Sequence, residues 1–176
     1  ILSSDSPVGI SKSVSLAISG FADSFARIKP GLVLVLGDRY EIFSAVFSAF
    51  ISRIPIAHIC GGEITEGAFD DALRHSITKM ARFHFVEADI YRKRVIQLGE
   101  SPENVFLVGG IGIDNIKQTK LLDLKKLEKS LNFEFGEKNL LITFHPVTLE
   151  NKSSSKHMSE ILDALNELKK TKLIFT

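Results

Sequence analysis

Apolar residues recur at helical spacing through Val14, Ala17, Ile18, Phe21, Ala22 and Phe25, and Pro30-Gly31 then breaks the pattern before an all-apolar run over residues 32–36. The spacing predicts a helix followed by a buried strand. Ile42, Ala45, Val46, Ala49 and Phe50 repeat the helical face, with a second strand over residues 56–59. Leu73, Ile77, Met80 and Ala81 mark a third helix and residues 83–86 a short strand. Tyr91, Val95 and Leu98 mark a fourth helix, stopped by Gly99, before a strand over residues 105–108. Strands separated by helices in this rhythm predict an α/β fold built on a parallel, doubly wound sheet with right-handed crossovers.

The pattern changes after Gly110. Residues 117–138 are rich in Lys and Glu and carry Leu122, Leu124, Leu127 and Leu131, which predicts an amphipathic helix between two globular units. A strand over residues 139–144, a helix through Met158, Ile161, Leu162, Leu165 and Leu168, and a strand over residues 172–176 follow. One helix and two strands cannot cover both faces of a parallel sheet. The expected organisation is therefore a nearly complete domain over residues 1–116, a linker over 117–138, and a truncated second domain over 139–176.

Composition narrows the classes. The 176 residues are 44% hydrophobic and 24% charged, and mean hydropathy is +0.14, which is enough apolar material for a core and argues against disorder. A formal charge of +1 without a long basic run gives no phosphate-tracking stripe, so no nucleic-acid partner is expected. No run is long and apolar enough to span a bilayer, so no membrane partner is expected either. The single cysteine, Cys60, excludes an internal disulfide framework and fits a reducing compartment, with the cytoplasm as the expected location. The opening ILSSDSPVG lacks the order of a signal peptide, and the absence of an initiating Met suggests a start inside a longer protein.

The candidate chemistry sits directly after the predicted strands. LVLVL runs into Gly37-Asp38-Arg39, IPIAHI into Cys60-Gly61-Gly62-Glu63, and LLITF into His145-Pro146-Val147-Thr148. In parallel α/β sheets the loops leaving the carboxyl ends of strands border the ligand crevice. Asp38 can cap the next helix, act in catalysis, or do both. Arg39 beside a helix start suits a phosphate or a surface ion pair. Gly61-Gly62 permits a close approach or a positive φ. Asp70 and Asp71 suit a helix N-terminus, with Arg74, His75 and Lys79 on the same element. At helical spacing Arg74 pairs with Asp71 and Lys79 with His75. His145 reads as a hydrogen-bonded turn residue or as a donor to a phosphate. His58, His75 and His145 lack a metal-ligand spacing, so no metal is expected.

GDRYE at 37–41, AHICGGEITEGAFDDALRHSITKMARFHFV at 57–86 and TFHPVT at 143–148, in this order and spacing, resemble the hydrolysing UDP-N-acetylglucosamine 2-epimerases of sialic-acid and related nonulosonic-acid pathways. The resemblance extends over nearly the whole chain. It implies two facing Rossmann-like domains of the GT-B type with the nucleotide sugar between them, the first lacking its initial strands and the second truncated. It further implies elimination of nucleoside diphosphate from a 2-acetamido sugar through a glycal, then hydration to a free N-acetylmannosamine-type sugar. No cofactor is expected, and relatives suggest a homo-oligomer.

Carried over position by position, the resemblance makes Asp38 and Asp70 the catalytic acids. It places Arg39 on the phosphate and His145 toward the diphosphate; Arg74 and His75, clustered with the acids at a helix start, and Thr148 of the HPVT motif are the further substrate-binding candidates. Where many relatives have Glu in an H-x-E-G-G pattern this chain has Cys60, whose thiol titrates well above a carboxylate, and Glu63 is the expected substitute. The difference also fits a subfamily acting on a diacetamido-trideoxy sugar or a GDP-linked one. A GT-B glycosyltransferase and an inactive truncated binding remnant are the alternatives.

Overall fold

The computed structural model describes residues 6–146 and 154–176. The chain divides into two compact units, Ile1–Ile116 and Lys117–Thr176.

The first unit starts with α1, Pro7–Ile28. Ser6 caps it by accepting the Gly9 N–H at 3.1 Å, and Lys29 ends it in the left-handed region at φ 52°. Then follow β1 (Val33–Leu36), α2 (Tyr40–Ile51), β2 (Ile56–Ile59), α3 (Asp70–Met80), β3 (Phe83–Val86), α4 (Asp89–Gln97), a short 3-10 turn at Pro102–Asn104, and β4 (Val105–Leu107). Helix α5, Ile111–Gln118, runs across the division between the units.

All four strands are parallel and lie in the order β1-β2-β3-β4. Residues paired in a parallel register share a face, so Val35, His58, His84 and Val105 form one row across the sheet. That face is the packed one. Val35 and Ile56 meet Val46 and Ala49 of α2 and Ile77 of α3, while Val86 and Val105 meet Val95 of α4. The next row over, Leu36, Ile59, Phe85 and Phe106, points the other way. Among the described residues no helix packs on that face, where Leu36 and Phe106 are exposed and Phe85 stacks on Phe106 at 5.3 Å. The described strands are thus wound on one side, because each strand follows its neighbour in sequence and every crossover of the same hand returns to the same face.

Small residues let α1 lie close on α2. Ser13, Ser44 and Ser48 are buried there, and the Ser48 hydroxyl reaches the Ile18 and Ser44 carbonyls, each at 3.0 Å.

In the second unit, α6 (Leu124–Leu131) begins at an Asp123 cap and ends at Asn132 in the left-handed region, φ 49°. The amphipathic helix expected within 117–138 is α6, which carries Leu124, Leu127 and Leu131; α5 ends at Gln118, and Leu122 lies between the two helices. Asn132 stops α6, and the following residues pack on the last strand: Phe133 meets Phe135 edge-on, and Lys172 Nζ lies 5.3 Å from the Phe133 ring centre. Strands β5 (Lys138–Ile142) and β6 (Thr171–Phe175) pair in parallel, with α7 (Ser154–Asn166) between them in sequence.

Candidate functional site

The hydrogen-bond ladder of the first unit continues one step past each strand. The Gly37 N–H donates to the Ile59 carbonyl at 3.2 Å, Cys60 N–H to Phe85 at 3.0 Å, and Val108 N–H to Val86 at 2.9 Å. These bonds hold the start of each connecting loop at the same edge of the sheet. Asp38, the Cys60-to-Glu63 turn and Glu87 leave from that edge.

Asp38 does not cap α2. The N-cap residue is Arg39, which makes no side-chain cap bond. The Asp38 carboxylate instead accepts from Nη2 of Arg74 on α3. The Arg74 side chain is only 7% exposed. Its Nη2 also donates to Thr65 Oγ1 at 2.9 Å, and its Nη1 lies 3.6 Å from Asp71 Oδ1. Thr65 in turn donates its N–H to Asp71 Oδ1 at 2.9 Å, which ties the loop before α3 to the first turn of that helix. Arg39 turns outward and pairs with Glu41 at 3.1 Å. His75 Nε2 stands 3.6 Å from Asp71 Oδ2. Lys79 pairs with Glu100 rather than with His75, and Glu100 also lies 3.3 Å from His84 Nε2.

The Gly61-Gly62 turn is defined by what it touches. Gly62 has φ +81°, and a Cβ there would stand 2.6 Å from the Tyr91 carbonyl oxygen and 2.8 Å from Val95 Cγ2. Only glycine fits this approach to α4. Arg94 of α4 donates to the Gly62 carbonyl and lies against the Tyr91 ring. Glu63, the next residue, is therefore carried by a turn seated on α4.

Glu63 has a neighbour that spacing did not reveal. Cys60 Sγ donates to Glu87 Oε1 at 3.3 Å, and donor atoms of Cys60, Glu63 and Glu87 all lie within 4.8 Å of one another. Burial raises the Glu63 carboxyl above the usual range, and the Glu87 charge adds to the effect. Burial and the bond to Glu87 push the Cys60 thiol up to about 12. Three such donors could hold a cation, whose binding would displace the thiol proton. Glu87 was findable by the rule that found Asp38 and Glu63, because the FHFV run leads straight into it.

Asp70 opens α3. Burial raises its carboxyl above the ordinary range, and the charge of Asp38 reinforces the shift. Asp38, Glu63, Asp70 and Arg74 thus belong to one electrostatic group, since Asp38 and Arg74 both act on Glu63 and on Asp70. His145 lies in the second unit, exposed, after β5. Thr148 lies outside the described residues.

A family model described as UDP-N-acetylglucosamine 2-epimerase matches residues 1–176. The chain belongs to this family. Among curated members, it is 44% identical over 176 residues to the GDP/UDP-N,N'-diacetylbacillosamine 2-epimerase (hydrolyzing) of Campylobacter jejuni, covering 100% of this chain and 46% of that protein. It is 40% identical over 162 residues to the polysialic acid biosynthesis protein P7 of Escherichia coli, covering 90% and 40% respectively. The chain thus spans less than half the length of these relatives. Its fold matches that of the Methanocaldococcus jannaschii UDP-GlcNAc 2-epimerase solved with UDP-GlcNAc and UDP, at a TM-score of 0.80 and 18% identity, over 95% of this chain and 47% of that one. The α/β fold with a parallel sheet is that of the family.

Proposed function

We propose that this chain carries the acid/base half of a hydrolysing 2-epimerase acting on a UDP-linked 2-acetamido sugar. The observation that carries the reading is the grouping of Asp38, Glu63 and Asp70, with two of these carboxyls raised by burial, at the strand-end edge of a chain in this family. Inversion at carbon 2 requires a base to take the proton from one face of the ring and an acid to return it to the other, and carboxyls tuned upward suit both tasks near neutral pH.

The chemistry balances without an outside redox partner. The bond from carbon 1 to the diphosphate oxygen breaks, and the nucleoside diphosphate leaves with the electron pair. A carboxylate takes the carbon-2 proton and a glycal forms. Water then adds its oxygen to carbon 1, and a carboxyl delivers a proton to carbon 2 from the opposite face. Asp38 and Asp70 act at carbon 2, with Glu63 taking the place of the family's usual Glu. Arg39, exposed at the start of α2, serves the diphosphate, while Arg74 acts on the substrate through Asp38. The name of the Campylobacter relative supports a diacetamido sugar as substrate, and the name of the Escherichia coli relative supports a place in sialic-acid synthesis. Among the described residues no helix is long and apolar enough to cross a membrane, and the lone thiol is compatible with work in the cytoplasm.

The test is to run the full-length protein in deuterium oxide with UDP-N-acetylglucosamine and with UDP-N,N'-diacetylbacillosamine, without an acceptor. Nucleoside diphosphate and a free sugar with deuterium at carbon 2 are expected. A free sugar without that label overturns the mechanism, and release that depends on an acceptor sugar points to glycosyl transfer.

A further inference from the structure

His58 stands in the middle of the packed row Val35–His58–His84–Val105, fully buried, where an aliphatic side chain would satisfy the core. A buried imidazole is costly unless both nitrogens are hydrogen-bonded. Here both are. Nε2 lies 2.9 Å from the Gly37 carbonyl oxygen and Nδ1 lies 3.2 Å from Thr78 Oγ1. A carbonyl only accepts, so Nε2 carries the proton and donates; in the neutral ring Nδ1 accepts from the Thr78 hydroxyl. A third segment closes on the same ring, since a Cβ at Gly61 would stand 3.1 Å from both His58 Nδ1 and Thr78 Oγ1.

These contacts fall beside the proposed acid/base groups. Gly37 immediately precedes Asp38, Gly61 precedes Glu63 by two residues, and Thr78 lies one turn beyond Arg74, which holds the Asp38 carboxylate. We propose that His58 is the positioning residue of the site: its Nε2–H fixes the Gly37 carbonyl, so that Asp38 is held at its backbone by His58 and at its carboxylate by Arg74. The role rests on the epimerase reading for its catalytic value, but its geometry does not. Burial lowers the imidazole to about 4, against a smaller opposing effect of the Gly37 bond, so the neutral, single-donor ring persists at physiological pH.

Two substitutions in the full-length protein separate positioning from packing. His58→Gln places an amide nitrogen where Nε2 stands and keeps a donor for Gly37, whereas His58→Asn places its amide where Nδ1 stands and leaves Gly37 without one. Each loses one buried hydrogen bond, so thermal unfolding should drop by similar amounts. His58→Asn should lower kcat by ~10²-fold with KM little changed, as expected for a catalytic group misplaced by about 1 Å. Amide exchange over residues 37–39 should also accelerate. His58→Gln should keep kcat within a few-fold of the parent and keep the exchange protection.

Equal behaviour of the two variants in both readouts, or unchanged exchange over 37–39 in His58→Asn, overturns the proposal. If the unsubstituted protein released no nucleoside diphosphate, the epimerase reading would fail while the exchange comparison still decided the role of His58. A measurement that needs no variant stands beside these. The nitrogen-15 shifts of His58 should report the Nε2–H tautomer from pH 5 to pH 8, and the Nδ1–H tautomer would rule out the bond to Gly37.

Discussion

Arg74 on α3 donates to the carboxylate of Asp38, the second residue after β1, across 36 positions of sequence. The same guanidinium reaches Thr65, so one side chain joins three segments around the site. A planar fork with fixed donors can do this, and a lysine ammonium cannot reproduce it. Arg74→Lys is expected to lower kcat, and Arg74→Ala to destabilise the protein by about 3 kcal/mol. That is the low end for breaking a buried pair, since a fifth of the Asp38 side chain remains exposed. Urea unfolding midpoints would show this, and a midpoint equal to the parent's would mean that the pair contributes nothing.

Glu63→Gln and Asp70→Asn should act on the chemical step with little effect on folding. Neither carboxylate is held in an ion pair among the described contacts, and burial already disfavours their charged forms. Loss of a general acid or base is worth ~10²–10⁴-fold in rate. Steady-state kinetics beside thermal unfolding check this; parental turnover in both variants would remove these residues from the mechanism.

The acid limb of kcat/KM should lie above the pH of an ordinary carboxyl, because burial raises both Glu63 and Asp70. Glu87 is a like charge close to Glu63. Its removal favours the ionised form of Glu63, so Glu87→Gln should shift that limb to lower pH. A pH–rate profile of the two proteins gives the answer, and a limb that does not move assigns it to another group.

Stability should fall on acidification below about pH 6.5. His58 is lowered to about 4 in the folded protein by burial, so between its unfolded value of 6.5 and about 4 the unfolded chain binds a proton that the folded one refuses. The stability present above 6.5 is therefore lost as pH falls through this window, on the order of 3 kcal/mol at full effect. His84, also lowered by burial, contributes in the same direction. Unfolding free energies from pH 7 to pH 4 should slope less steeply in His58→Gln than in the parent, with the His84 share remaining.

Gly62→Ala should be strongly unfavourable. The added Cβ meets the Tyr91 carbonyl at 2.6 Å in a backbone conformation at φ +81°, and positive φ alone costs about 1 kcal/mol or more for a non-glycine residue. Lower thermal stability together with reduced kcat is expected, because Glu63 moves with the turn. Loss of stability with kcat intact would separate the turn from the chemistry.

The order of helices and strands was legible because buried parallel strands are short apolar runs and the helices alternate with them, as LVLVL and IPIAHI show. The amphipathic helix of the linker was legible from Leu124, Leu127 and Leu131, which lie on α6, but Leu122 falls in the break at 119–123, which composition and spacing do not register. Candidate residues were legible where chemistry followed a strand end. Their pairings were legible only in part. Helical spacing predicted Arg74 with Asp71, which pair at 3.6 Å, but Arg74 also holds Asp38, and Lys79 pairs with Glu100 rather than with His75. The hydrogen bonds of His58 were not legible either, since its partners Gly37 and Thr78 become neighbours only after three elements have packed.

Position 60 is where this site can vary. Gly61 and Gly62 are confined by His58, Thr78, Tyr91 and Val95, so substitution there displaces the turn. Cys60 already occupies the left-handed region, at φ 63°, where Asn, Asp and His are also tolerated, and its side chain meets Glu87 rather than the packed core. A change of side chain at 60 can therefore retune the charge shared by Glu63 and Glu87 while the backbone that carries them stays in place. Divergence in substrate preference would be expected to pass through this residue before it touched either glycine.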